Sequence, residues 1–134
     1  MSDARSAARE HALSLLYEAE TKGCPIAEVL TGQVLEPDPL TVQIVQGVES
    51  DIVAIDGLIS ERSSGWRIDR MAALDRLVLR MATFELVHRS DVPTAVILDE
   101  AVELAKRFGT DDSSRFVNGV LAAVARDVRT ATPN

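Results

Sequence analysis

Ala73-Leu74-Asp75-Arg76-Leu77-Val78-Leu79-Arg80-Met81-Ala82-Thr83-Phe84-Glu85-Leu86-Val87-His88 sets Leu74, Leu77, Val78, Met81 and Phe84 three or four positions apart. That spacing aligns them on one face of an α-helix and predicts a long helix over 73–88. The same period recurs outward in both directions, and no stretch sustains the two-residue alternation of a half-buried strand. The fold class is therefore all-α, a compact bundle of about six to seven helices.

Upstream, residues 4–22 place Ala8, Ala12, Leu15, Leu16 and Ala19 on one helical face, with Gly23 as the stop. Pro25 opens a short second helix with Ile26, Val29 and Leu30 inward. Pro39 begins a longer one, in which Leu40, Ile44, Val48, Ile52, Ile55 and Ile59 predict about five continuous turns. Ser63-Ser64-Gly65 ends it. Downstream, Asp69 to Met71 reads as a short turn and Thr94 to Arg107 as a helix closed by Gly109. The last helix starts in the cap cluster Asp111-Asp112-Ser113-Ser114 and runs to about Val128. The tail Thr130 to Asn134 is expected to fray. A single domain follows, with a front helix group at about 4–62 and a rear group at about 66–128.

The chain has 134 residues, 46% of them apolar and 26% charged, so it can bury a core without disulfides or metal. Its single cysteine, Cys24, has no partner for an internal disulfide, which points to a reducing, cytoplasmic setting. No signal-peptide pattern and no apolar run of membrane-spanning length occurs, so no membrane association is expected. The net charge of −7 lies wholly in the first half. Residues 1–60 hold 3 cations against 10 anions, and residues 61–134 hold 11 of each. His11 and His88 have no ligand-spaced companion, and none of the seven glycines forms a phosphate-cradling pattern. No metal, cofactor or reaction is implied, and no catalytic residue is assigned.

A few residues stand above this background. Arg76 and Arg80, like charges one turn apart, need carboxylates on neighbouring helices, with Glu85 and Glu100 as candidates, or they face a partner. Glu85–Arg89 and Glu103–Arg107 read as ion pairs on solvated faces. Trp66, directly after a helix break, reads first as a core plug between the two helix groups and second as an exposed anchor. Tyr17 reads either as a rim hydrogen-bonding group or as a stacking platform for an unpaired base. Arg5 and Arg9 share a face and read as solvated cations. Phe116 reads as core behind the cap cluster, whose free amides suit a phosphate although two aspartates oppose it.

Several strings together are more specific. They are Trp66-Arg67-Ile68-Asp69-Arg70, Asp75-Arg76-Leu77-Val78-Leu79-Arg80-Met81-Ala82-Thr83-Phe84-Glu85-Leu86, Asp91-Val92-Pro93, Leu98-Asp99-Glu100-Ala101-Val102-Glu103-Leu104-Ala105-Lys106 and Phe116-Val117-Asn118-Gly119-Val120-Leu121. In this order they resemble the bacterial transcription antitermination factor NusB family. Ala8-Arg9-Glu10-His11-Ala12-Leu13 leading to Leu16-Tyr17 resembles the family's first helix. Residues 24–60 carry the resemblance least.

The resemblance implies an all-helical fold of two small helix groups and a non-enzymatic role. It implies pairing with ribosomal protein NusE and binding of the single-stranded boxA element of nascent RNA. Through that assembly the family acts with RNA polymerase and other Nus factors to suppress termination in ribosomal RNA operons. Its RNA contacts fall on Arg5, Arg9, Tyr17, Asp112, Arg115 and Phe116. Asp75 and Arg76 are the partner-binding candidates. The family's basic N-terminal segment is thinned here, with Ser6, Ala7 and Ala8 between the two arginines. Two arginines support only a shallow electrostatic interaction. Either NusE supplies much of the basic surface, or the chain is a paralogue that works only as a protein–protein module, on NusE or as a homodimer. A domain of this kind also occurs fused to RNA methyltransferases, a third context.

Overall fold

The computed structural model describes residues 4–129. Its elements are α1 (Ala4–Lys22), α2 (Ile26–Thr31), α3 (Pro39–Ser50), α4 (Ile52–Arg62), a 3-10 turn (Ile68–Arg70), α5 (Ala73–His88), α6 (Thr94–Phe108) and α7 (Ser113–Arg129). Among the described residues there are seven α-helices and no strand. The tail expected to fray, Thr130 to Asn134, lies outside them.

Local chemistry sets most of the boundaries. Gly23, at φ +65°, ends α1, with its N–H donating to the Glu20 carbonyl and the Cys24 N–H to that of Ala19. This is the paired closure that a left-handed residue permits. Asp38 accepts from the Leu40 amide at 2.8 Å while Pro39 fills the first position of α3. Ser113 turns back rather than forward, its hydroxyl accepting from the Thr110 amide at 2.9 Å to fasten the loop ahead of α7.

The single helix expected over 39–62 is two. The chain leaves helical geometry at Asp51, at φ −114° and ψ 23°. The Asp51 carboxylate meets the His88 ring at 2.8 Å. Apolar spacing continues unbroken through the bend, with Ile44, Val48, Ile55 and Ile59 all buried, so the stripe does not mark it. The bend lets α3 lie against α1 while α4 reaches α7, and both pack on α5.

Helix α5 is central and packs against α1, α3, α4, α6 and α7. Its residues 77–79 and 81–86 are all buried. Arg129, at the end of α7, closes its C-terminus. The guanidinium donates to the carbonyls of Glu85, Leu86, Arg89 and Val92 at 2.6–3.2 Å. These include carbonyls that a helix end leaves without intrahelical partners.

Trp66 does not plug the core. Its side chain is 58% exposed, and its ring meets the edge of Phe116 at 6.1 Å between centroids. The preceding turn explains the correction. Ser64 and Gly65 both take positive φ, and Ser63 closes the turn by accepting from the Trp66 amide while its hydroxyl donates to the Trp66 carbonyl at 2.7 Å. That closure throws the indole onto the surface and leaves Phe84 as the aromatic ring of the core.

Candidate nucleic-acid interface

Aromatic residues are only 4% of the chain, and nearly all of them converge on one strip of surface. Tyr17, on α1, is 48% exposed and borders a shallow groove of about 340 Å³ with Leu13, Ser14, Leu74 and Phe108. A second groove, of about 350 Å³, is lined by Trp66, Arg70, Asp75, Asp112 and Phe116 among others. The first turn of α5 divides the two, with Leu74 in one groove and Asp75 in the other. The loop from Phe108 to Ser113 borders both. The sole tyrosine, the sole tryptophan and two of the three phenylalanines therefore line adjacent grooves, while the third, Phe84, is buried.

The charges at and beside this strip are of both signs. Asp75 and Asp112 share the second groove with the edge-to-face pair of Trp66 and Phe116. Arg70 lines the second groove, while Arg5 and Arg115 are exposed on α1 and α7, and none of the three has a carboxylate partner among the described residues. Arg107 sits with its guanidinium 4.9 Å from the centroid of the Phe108 ring and donates to Glu10 at 2.8 Å. That contact replaces the expected Glu103–Arg107 pair.

Three sequence-based readings are corrected here. Arg9 is not a solvated cation, because it is 3% exposed and held by Glu85. Its Nε and Nη2 donate to the two Glu85 carboxylate oxygens at 2.8 Å each, and its Nη1 donates to Glu100 at 3.1 Å. The Glu85 hydrogen bonds raise the Arg9 pKa above its ordinary value against the opposing effect of burial, so the guanidinium stays charged. Glu85 still pairs with Arg89, at 3.8 Å, but on a buried face and not a solvated one. Nor do Arg76 and Arg80 use Glu85 and Glu100. Arg76 donates to Glu20 at 2.6 Å, and Arg80 pairs in a fork with Asp56 at 2.8 and 2.9 Å.

The structure brings Asp75, Asp112 and Phe116 into one groove and places Tyr17 in the next. Asp75 and Arg76, adjacent in sequence, face different surroundings. Arg76 lines a larger cleft of about 780 Å³ with Glu20, Asp56, Arg80 and the other side of Trp66. Trp66, Arg70 and Phe108 also line the grooves; sequence reading singles out neither Arg70 nor Phe108, and it reads Trp66 first as core. A tryptophan after a helix break is compatible with either side of the surface, and only the left-handed turn at Ser64-Gly65 decides which.

A chain of this geometry has known counterparts. The NusB family model matches residues 6–126. The transcription antitermination protein NusB of Saccharopolyspora erythraea is 48% identical over 128 residues, covering 91% of this chain and 86% of that one. Among solved structures, NusB of T. maritima superposes with a TM-score of 0.85 at 33% identity, covering 95% and 94% of the two chains. A NusB chain in a complex of the antitermination factors NusB and NusE with double-stranded RNA superposes with a TM-score of 0.79 at 25% identity, covering 92% and 96%. The match runs from α1 into α7 and takes in the residues that line both grooves, and the chain belongs to the NusB family.

Proposed function

We propose that the chain is a cytoplasmic, non-enzymatic transcription antitermination factor that binds boxA-type single-stranded RNA together with ribosomal protein NusE on ribosomal RNA operons. RNA polymerase and other Nus factors would be engaged through that assembly. The observation that carries this reading is the concentration of scarce aromatic residues at two adjacent grooves. Exposed rings beside carboxylates suit unpaired bases, whose faces stack and whose edges offer N–H donors; paired bases in a duplex offer neither freely. In this arrangement Tyr17 and Phe116 stack, Asp75 and Asp112 accept from base edges, and Arg5 and Arg115 meet phosphates. Arg9 acts indirectly, by holding α1 against α5.

A second reading, a protein–protein module without RNA, is favoured by one observation. The front half holds all of the excess negative charge, and its best-placed arginine is already paired inside the fold. The two readings separate in a salt-dependent titration of boxA RNA, single-stranded and as a duplex, with and without NusE. Weak binding alone that becomes tight with NusE, with preference for the single strand, supports the first. No RNA binding even with NusE establishes the second.

A further inference from the structure

Trp66 is the largest apolar side chain left exposed beside these grooves, and nothing in the core explains it. It forms the wall between the groove of Asp75, Asp112 and Phe116 and the larger cleft holding Arg76 and Arg80. One edge of the indole is fixed by Phe116, an edge-to-face contact at 69° between ring planes. Its backbone is clamped by the two Ser63 hydrogen bonds. An exposed ring held this rigidly loses little conformational freedom when a flat ligand covers it. The neighbouring charge is equally specific. Most of the chain's cations are paired within the fold, yet Arg70 lines the same groove without a carboxylate partner among the described residues. In the cleft beyond Trp66, by contrast, Arg76 and Arg80 are both paired with carboxylates.

We propose that Trp66 and Arg70 form an additional nucleotide site next to Phe116, where the indole stacks on an unpaired base and Arg70 meets the adjoining phosphate. The site rests on the RNA-binding reading above and lengthens the strand's path past the Tyr17 and Phe116 grooves towards the Ser63–Gly65 turn. Single-stranded RNA is the occupant because the site combines a free π-face with a free guanidinium. Those are the two elements that hold a strand without reading its sequence.

The test uses the full chain in complex with NusE, with boxA RNA carrying three extra uridines at each end as the probe. Trp66 is the only tryptophan, so 5-fluorotryptophan incorporation gives one fluorine resonance from this chain, and unlabelled NusE contributes none. Addition of the RNA is expected to shift that resonance. Trp66→Ala is expected to weaken RNA binding roughly 5- to 150-fold, the range for loss of one stacked base, with Trp66→Phe recovering most of it. Arg70→Gln is expected to reduce the slope of log affinity against log salt by about 0.7. If RNA binds while the resonance stays still and Trp66→Ala binds like the parent, the added site is wrong and the RNA reading stands. If Trp66→Ala instead loses NusE and leaves the RNA contribution unchanged, Trp66 belongs to the protein partner and the site is equally wrong. If the parent complex binds no RNA, the RNA reading fails and takes this site with it.

Discussion

The Arg9 guanidinium and the Glu85 carboxylate meet in a buried fork, two parallel hydrogen bonds of 2.8 Å that join the first helix to the central one. Neither side chain is more than 3% exposed. Removing one partner leaves the other charge buried without compensation, so Arg9→Ala and Glu85→Ala should each destabilise the fold by about 3–5 kcal/mol. Replacing both with leucine should recover much of that loss, because the uncompensated charge disappears and Glu100 remains partly solvated. Urea unfolding of the two single variants and the double variant measures the coupling. Simple additivity of the two losses would contradict a paired origin.

Gly47 supplies a case in which two effects oppose each other. Alanine is favoured over glycine in a helix interior by about 1 kcal/mol. A Cβ at this position, however, would stand 2.1 Å from the buried Phe84 ring. Overpacking costs about 1–3 kcal/mol where the neighbour has no room to yield, so Gly47→Ala should be net destabilising. Combining it with Phe84→Leu should cost less than the sum of the two single changes. A thermal melt of Gly47→Ala at or above the parent midpoint would show that the ring moves freely.

Trp66→Ala should behave as a surface change. With the indole more than half exposed, the expected loss of stability is about 0.5–1 kcal/mol, well below the roughly 3–5 kcal/mol of a buried aromatic. Chemical denaturation of this variant decides between a surface and a core location, independently of any ligand.

Tyr17→Ala and Arg115→Gln should separate stacking from charge. The tyrosine variant should bind boxA RNA less tightly in the NusE complex with an almost unchanged salt slope, because it removes a ring and no charge. The arginine variant should flatten the slope by somewhat less than one. A changed slope for Tyr17→Ala would mean that the α1 surface has rearranged.

The fold was largely legible because apolar spacing reports which face of a helix is buried. Leu77, Val78, Met81 and Phe84 are all in the core as their period implies. What spacing does not report is direction. The bend at Asp51 preserves the stripe, so two helices read as one. Partnerships between distant side chains were also hidden. Arg9 and Glu85 are 76 positions apart, and nothing local distinguishes a solvated arginine from one that reaches a buried carboxylate. Within the candidate interface, family resemblance points to Tyr17, Asp75, Asp112 and Phe116, and all four line neighbouring grooves. Trp66, at a junction, reads as filler before it reads as an exposed anchor, and only the handedness of the turn reverses that order.

Helix α5, packed by five other helices, has a consequence for how the molecule comes apart. Helices before it and helices after it pack on the same sixteen-residue segment, Ala73–His88. Melting either set would strip one flank of that segment, and loss of α1 would also lay bare the carboxylate that Arg9 covers. Neither set therefore has a private unfolding event open to it. The amides of 77–86 should exchange with solvent only when the whole chain opens, all at one common free energy. The spacing between the Tyr17 and Phe116 surfaces is then a fixed ruler, and it is the flexible strand that must adjust to it.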